Sequence, residues 1–130
     1  MNESHPQDAR HPERVPGAEA ASADDRKFRE YILSETHPIG RGKAKFFKNI
    51  GYTGANWQEL REQFLAQLPR VPGRYTQDGY GQGKNYEAVI SVASSSGTAN
   101  VRTFWEVHPE NGTKFLTAYP LDSETGTKTP

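Results

Sequence analysis

The densest run of chemistry-bearing side chains is Arg41-Gly42-Lys43-Ala44-Lys45-Phe46-Phe47-Lys48, with four cations and no acid in eight residues. Gly40 and Gly42 loosen the backbone where a helix is expected to start, and the amides and dipole of a helix start attract anions. His37 stands a few residues upstream, a side chain type that exchanges protons near neutral pH. Such a set suits phosphate, with lysines to neutralise it and a histidine to move protons. The spacing is not that of a P-loop, because G-x-x-x-x-G-K-[ST] is absent. A solvated cationic helix face accounts for the same residues.

A second set, Arg102, Thr103, Thr117 and Tyr119, depends on strand pairing. If Val107 opposes Thr113 across a turn, Trp105 opposes Phe115, Thr103 opposes Thr117 and Val101 opposes Tyr119. If Ala93 opposes Thr98 across the preceding turn, Ile90 opposes Val101, Ala88 opposes Thr103 and Tyr86 opposes Trp105. One face then gathers Tyr86, Ala88, Ile90, Val101, Trp105, Phe115 and Tyr119 around the two threonines. The other carries Glu87, Val89, Arg102, Phe104, Glu106, Lys114, Leu116 and Ala118. A slip of one residue would exchange a strand's faces. Paired threonines pack and bond across strands, or orient a phosphate. Arg102 between Glu87 and Glu106 makes a surface ion cluster, or holds a phosphate bidentately beside a carboxylate base.

The elements that must position these residues follow from periodicity. Ser22 and Asp25 give a capping-box-like start to a first helix, with Phe28, Tyr31 and Ile32 on one face. His37-Pro38 breaks it. A second helix runs from Arg41 or Gly42 to Asn49 or Ile50, stopped by Gly51. A third runs from Trp57 to Leu68 with Asn56 as its cap, and Pro69 and Pro72 end it. Gly73 to Lys84 is too glycine-rich for a regular element. Tyr86–Ala93, Ala99–Val107 and Thr113–Tyr119 alternate as strands. The expected class is α+β, three helices followed by a three- or four-stranded antiparallel meander.

The charges divide the chain. Sixteen basic and sixteen acidic residues cancel overall, yet residues 1–25 carry −4, residues 26–117 carry +5 and residues 118–130 carry −1. Residues 1–23, with Pro6, Pro12 and Pro16 and few apolar side chains, read as a disordered acidic arm, and residues 122–130 as a disordered tail. That leaves one domain over residues 24–121, with the arm able to screen its basic surface. The absence of cysteine excludes disulfides, thiolate zinc sites and cysteine nucleophiles. His5, His11, His37 and His108 lack metal-ligand spacing, so no metal or other cofactor is expected. No run of apolar residues is long enough for a membrane span and the first residues lack a leader's apolar core, so neither is expected.

The string His37-Pro38-Ile39-Gly40-Arg41-Gly42-Lys43-Ala44-Lys45-Phe46-Phe47, then Gly51-Tyr52, resembles the HP-x-G-x-x-KA-x-F segment of a small bacterial domain family of unassigned function. Val101-Arg102-Thr103-Phe104-Trp105 and Phe115-Leu116-Thr117-Ala118-Tyr119-Pro120 resemble its end, so the likeness covers about residues 27–120. The family is similar to the ribonuclease-toxin superfamily that groups barnase, EndoU, the tRNA-cleaving colicins and RelE. The resemblance implies a metal-independent endoribonuclease acting on RNA by general acid/base phosphoryl transfer. Lys43, Thr103 and Thr117 match its recurrent polar positions. His37 and Arg102 join them on chemistry, with Lys45, Lys48 and Tyr119 as substrate-binding residues. RNA and an immunity protein are the implied partners, and the cytoplasm, own or invaded, the implied compartment. A non-catalytic α+β interaction module, adaptor, immunity-like protein or degenerate nuclease is the alternative.

Overall fold

The structure, a computed structural model, describes residues 13–38, 40–79, 81–94 and 97–121. Helix α1 (Asp25–Lys27) widens into a π-helical stretch, Phe28–Ile32. Helix α2 spans Arg41–Asn49, and α3 spans Trp57–Gln67 and tightens into a 3-10 turn over Leu68–Arg70. Strands β1 (Arg74–Asp78), β2 (Lys84–Ser94), β3 (Gly97–His108) and β4 (Gly112–Pro120) form one antiparallel sheet in sequential order. The α+β class holds.

Local chemistry sets the helix ends. Asp24, rather than Ser22, caps α1 by accepting the Arg26 N–H at 2.9 Å. Gly51 stops α2 at φ 112, a left-handed conformation that side chains with a Cβ resist. Asn56 does not cap α3. Its side chain instead accepts from the Thr53 N–H at 2.8 Å and donates to the Gly51 carbonyl at 2.9 Å, bracing the turn before the helix. The segment after Gly73 is not wholly irregular, since β1 pairs Arg74 with Glu87 and Tyr75 with Tyr86 before a bulge.

One sheet face carries the core. Ile90, Val101, Trp105 and Phe115 pack with Phe28, Ile32, Leu60, Phe64 and Leu68. The Phe115 ring lies 5.0 Å from Phe28, 5.6 Å from Phe64 and 5.3 Å from Trp105. Each such aromatic pair contributes about 0.5–1.5 kcal/mol beyond burial.

Residues 13–23 extend this domain, a correction to the boundary expected at residue 24. Val15 and Ala18 are buried. The Gly73 N–H donates to the Glu13 carbonyl, and Thr113 Oγ1 donates to the Pro16 carbonyl at 2.5 Å. Ser22 bridges to Lys114 alongside β4, covering part of that sheet edge. A single buried valine in a polar segment gives no periodic signal. The arm over residues 1–12 and the tail over 122–130 lie outside the described residues.

The β2–β3 register is the expected one, with Ile90 opposite Val101, Ala88 opposite Thr103 and Tyr86 opposite Trp105. The β3–β4 register keeps Trp105 opposite Phe115 but then shifts, placing Phe104 opposite Thr117, Thr103 opposite Ala118 and Arg102 opposite Tyr119. Leu116 is the extra residue, a β-bulge. It lets Phe115 and Ala118 both face the core, and it turns Thr117 and Tyr119 to the open face. Thr103 and Thr117 are therefore not side by side.

Candidate functional site

Lys43 is the centre of the best-formed polar cluster. The residue is 9% exposed, and its ammonium donates to the Tyr31 hydroxyl at 2.7 Å and to Thr117 Oγ1 at 3.0 Å. The ammonium also sits 4.0 Å from the Tyr119 ring centroid, a cation–π contact. No carboxylate among the described residues forms an ion pair with it. A cation this deeply buried is costly without an opposing charge.

The HP-x-G segment builds this arrangement. His37 Nδ1 accepts the Gly40 N–H at 3.0 Å, which in the neutral ring puts the proton on Nε2. The His37 ring stands edge-on to Tyr31 with centroids 5.0 Å apart. Gly40 presses against the Tyr31 backbone so closely that a Cβ would lie 2.0 Å from its carbonyl oxygen. The absence of a side chain is what lets α2 start there. Lys43 then falls one turn into α2, within reach of the Tyr31 hydroxyl. The π-helical stretch supplies the other half, closed by the Leu33 N–H donating to the Phe28 carbonyl at 2.9 Å. Short π segments often mark functional positions.

Two of these groups, Tyr31 and His37, wall an open cleft of about 650 Å³ together with Leu116 and Thr117, with Asp24, Arg26, Lys27 and Glu30 also lining it. Burial raises the Tyr31 hydroxyl's pKa, but hydrogen bonds from Lys43 and Thr117 and the Lys43 charge outweigh it. The net position is below the ordinary tyrosine value. The cleft thus holds a histidine and an acidified phenol, and the Lys43 ammonium stands behind its wall, hydrogen-bonded to Tyr31 and Thr117.

The other expected site residues fall elsewhere. Thr103 is fully buried on the core face, where its hydroxyl donates to the Ala88 carbonyl at 2.7 Å and accepts the Trp105 indole N–H at 2.7 Å. Arg102 lies on the open face with Nε 2.8 Å from Glu87 Oε2, and Arg74 pairs with the same carboxylate. Lys45 is exposed, and Lys48 lies 3.7 Å from Glu35 in an exposed pair. His37, Lys43, Thr117 and Tyr119 are the four brought together. Tyr31 is the partner that sequence reasoning assigned to an apolar stripe. Its signal was a hydroxyl-bearing residue at a position where Phe or Leu would serve packing alone.

No group of His, Asp or Glu among the described residues is arranged to hold a metal ion. None of the described helices is long and apolar enough to cross a membrane. Fold and cleft together define a small α+β domain, a helical layer on one face of a four-stranded antiparallel meander with a cleft beside its last strand that Lys43 backs through Tyr31 and Thr117. The chain belongs to the family described as Domain of unknown function (DUF6883), whose model matches residues 14–122. No curated protein and no solved structure matches it.

Proposed function

We propose that this domain is a metal-independent endoribonuclease of the toxin type, working in the His37–Tyr31–Lys43–Thr117 cleft. The observation that carries this reading is the buried Lys43 ammonium, which has no carboxylate partner among the described residues and lies one hydrogen bond from an open cleft. A scissile phosphate supplies the anion this lysine lacks, and a pentacoordinate phosphorane, with more charge on the same oxygens, gains more from it. The ribose 2′-hydroxyl passes its proton to water in the cleft as its oxygen attacks phosphorus, while the His37 Nε2–H, with Nδ1 held by the Gly40 N–H, donates to a phosphate oxygen. Tyr31 gives its proton to the leaving 5′-oxygen, and its phenolate is held by Lys43 and Thr117. The products are a 2′,3′-cyclic phosphate and a 5′-hydroxyl, and solvent, which carried off the 2′-hydroxyl proton, returns one to Tyr31. Thr103, with its hydroxyl committed inside the core, has no part in the reaction.

Purified protein incubated with total RNA in excess chelator tests this. Fragments ending in cyclic phosphate are expected from the wild type and are expected to fall at least a hundredfold in Lys43→Met and Tyr31→Phe. Intact RNA with the folded wild type sinks the reading. A non-catalytic interaction module is then favoured by the open sheet face, where Val89 and Tyr119 are 40% and 44% exposed.

A further inference from the structure

We infer that Leu116 is a wedge that holds apart the two nucleotides flanking the scissile phosphate, a positioning role that rests on the ribonuclease reading. Phe115 and Ala118 are buried in the core, so the two residues between them, Leu116 and Thr117, share the outer side of β4 at the bulge. Leu116 lines the phosphate cleft and also two cavities of about 290 and 470 Å³. The smaller follows β4 forward, through Thr117 to Tyr119, with Phe104 beside it. The larger follows β4 backward, through Phe115 to Lys114, with Asp24 and Lys27 across from them. These two cavities have no lining residue in common except Leu116. Each opens to the cleft, the smaller through Thr117 and the larger through Asp24 and Lys27. A phosphate in the cleft therefore has one cavity on either side of Leu116 for the two bases it joins.

The chemistry of the reaction calls for such a divider. Attack by the 2′-oxygen needs that oxygen, the phosphorus and the leaving 5′-oxygen in line. In a stacked strand they are not, because stacking holds the two sugars parallel and turns the 2′-oxygen to one side of the phosphorus. The stack must open at the bond that is cut. Opening it costs free energy, and proteins that kink nucleic acids offset that cost by setting an apolar side chain, leucine among them, between two bases. Leu116 is apolar and half-buried, and it adjoins Thr117 on the wall of the phosphate cleft. One base then passes to the exposed Tyr119 ring, which stands edge-on to Phe104 with centroids 5.7 Å apart and gives it a surface to stack on. The other passes to the Phe115–Lys114 side.

The test uses the full chain and a probe that cannot be cut, the 2′-deoxy dinucleotide of 2-aminopurine and adenine, whose fluorescence is quenched while its bases stack. Saturating wild type should raise that fluorescence about threefold or more. Leu116→Ala should keep the thermal transition yet lose most of the rise, and Leu116→Met, an apolar chain of similar reach, should retain it. Cleavage gives a second readout. Relative to wild type, Leu116→Ala should slow cutting of polyadenylate, which stacks strongly, about tenfold more than cutting of polyuridylate, which does not. No rise with the wild type, whether the probe fails to bind or binds stacked, overturns the inference. A rise undiminished in Leu116→Ala, or an equal slowing on both polymers, overturns it too. Cleavage by the wild type without a fluorescence rise removes this inference alone, whereas a Leu116-dependent rise without cleavage of either polymer removes only the ribonuclease reading.

Discussion

Lys43 on α2 and Tyr31 on the π-helical stretch meet through one hydrogen bond of 2.7 Å, and that bond acidifies the phenol. In the folded chain Tyr31 releases its proton at a lower pH than in the unfolded chain, where the value is about 10. The coupling therefore adds stability as pH rises through the folded pKa, completely above the unfolded one, and loses it as pH falls. Lys43→Met should leave burial as the dominant influence and move the Tyr31 titration upward. The phenolate absorbance difference between each protein and its Tyr31→Phe counterpart reads this directly, and an unmoved titration would contradict the assignment.

Two glycines three positions or fewer before Lys43 should respond in opposite directions. Gly40→Ala drives a Cβ into the Tyr31 carbonyl, and overpacking against rigid backbone should cost about 3 kcal/mol. Gly42→Ala meets nothing within 4 Å inside α2 and should stabilise by roughly 0.5–1 kcal/mol. Urea denaturation of the two variants measures both.

The two threonines should separate stability from activity. Thr103→Val leaves the Trp105 indole N–H and the Ala88 carbonyl without their buried partner, a loss of about 1–3 kcal/mol. RNA cleavage per folded molecule should stay near wild type. Thr117→Val should shift stability by less than about 1 kcal/mol, as befits a half-buried hydroxyl, yet reduce cleavage at least tenfold by removing a Lys43 partner. Melting curves beside single-turnover rates would show the split, and a strong cleavage defect in Thr103→Val at full folding would refute it.

The boundary of the domain can be tested by truncation. Deleting residues 1–12 should leave the thermal transition in place. Val15→Ala removes two buried methyl groups and should cost about 2 kcal/mol. Deleting residues 1–24 should abolish cooperative unfolding, because it strips Val15, Ala18 and the bridge along β4. Any test of whether the acidic arm screens the cleft therefore has to stop at residue 12.

Much of the scaffold was legible from residue order alone. The limits of α2, with Gly51 as its stop, and the β2–β3 pairing came from periodicity and turn chemistry, which act between near neighbours. Ser22 misled because serine suits a helix cap and a strand bridge equally, and only the sheet edge decides between them. β1 was hidden among glycines because its pairing partner, β2, provides the order that its own composition does not.

The sequence by itself determined the α+β class, the strand order and the presence of Lys43, His37, Thr117 and Tyr119 as candidates, since hydrophobic period and residue type are local properties. Tertiary structure alone decided which of them meet. One extra residue at Leu116 reverses the faces of everything after it in β4, because strand side chains alternate with a period of two. That reversal takes Thr117 away from Thr103 and gives it to Lys43. Tyr31 enters the site for a related reason: its hydroxyl lies near Lys43 only because Gly40 lets two backbones touch, a contact that no spacing in the chain encodes.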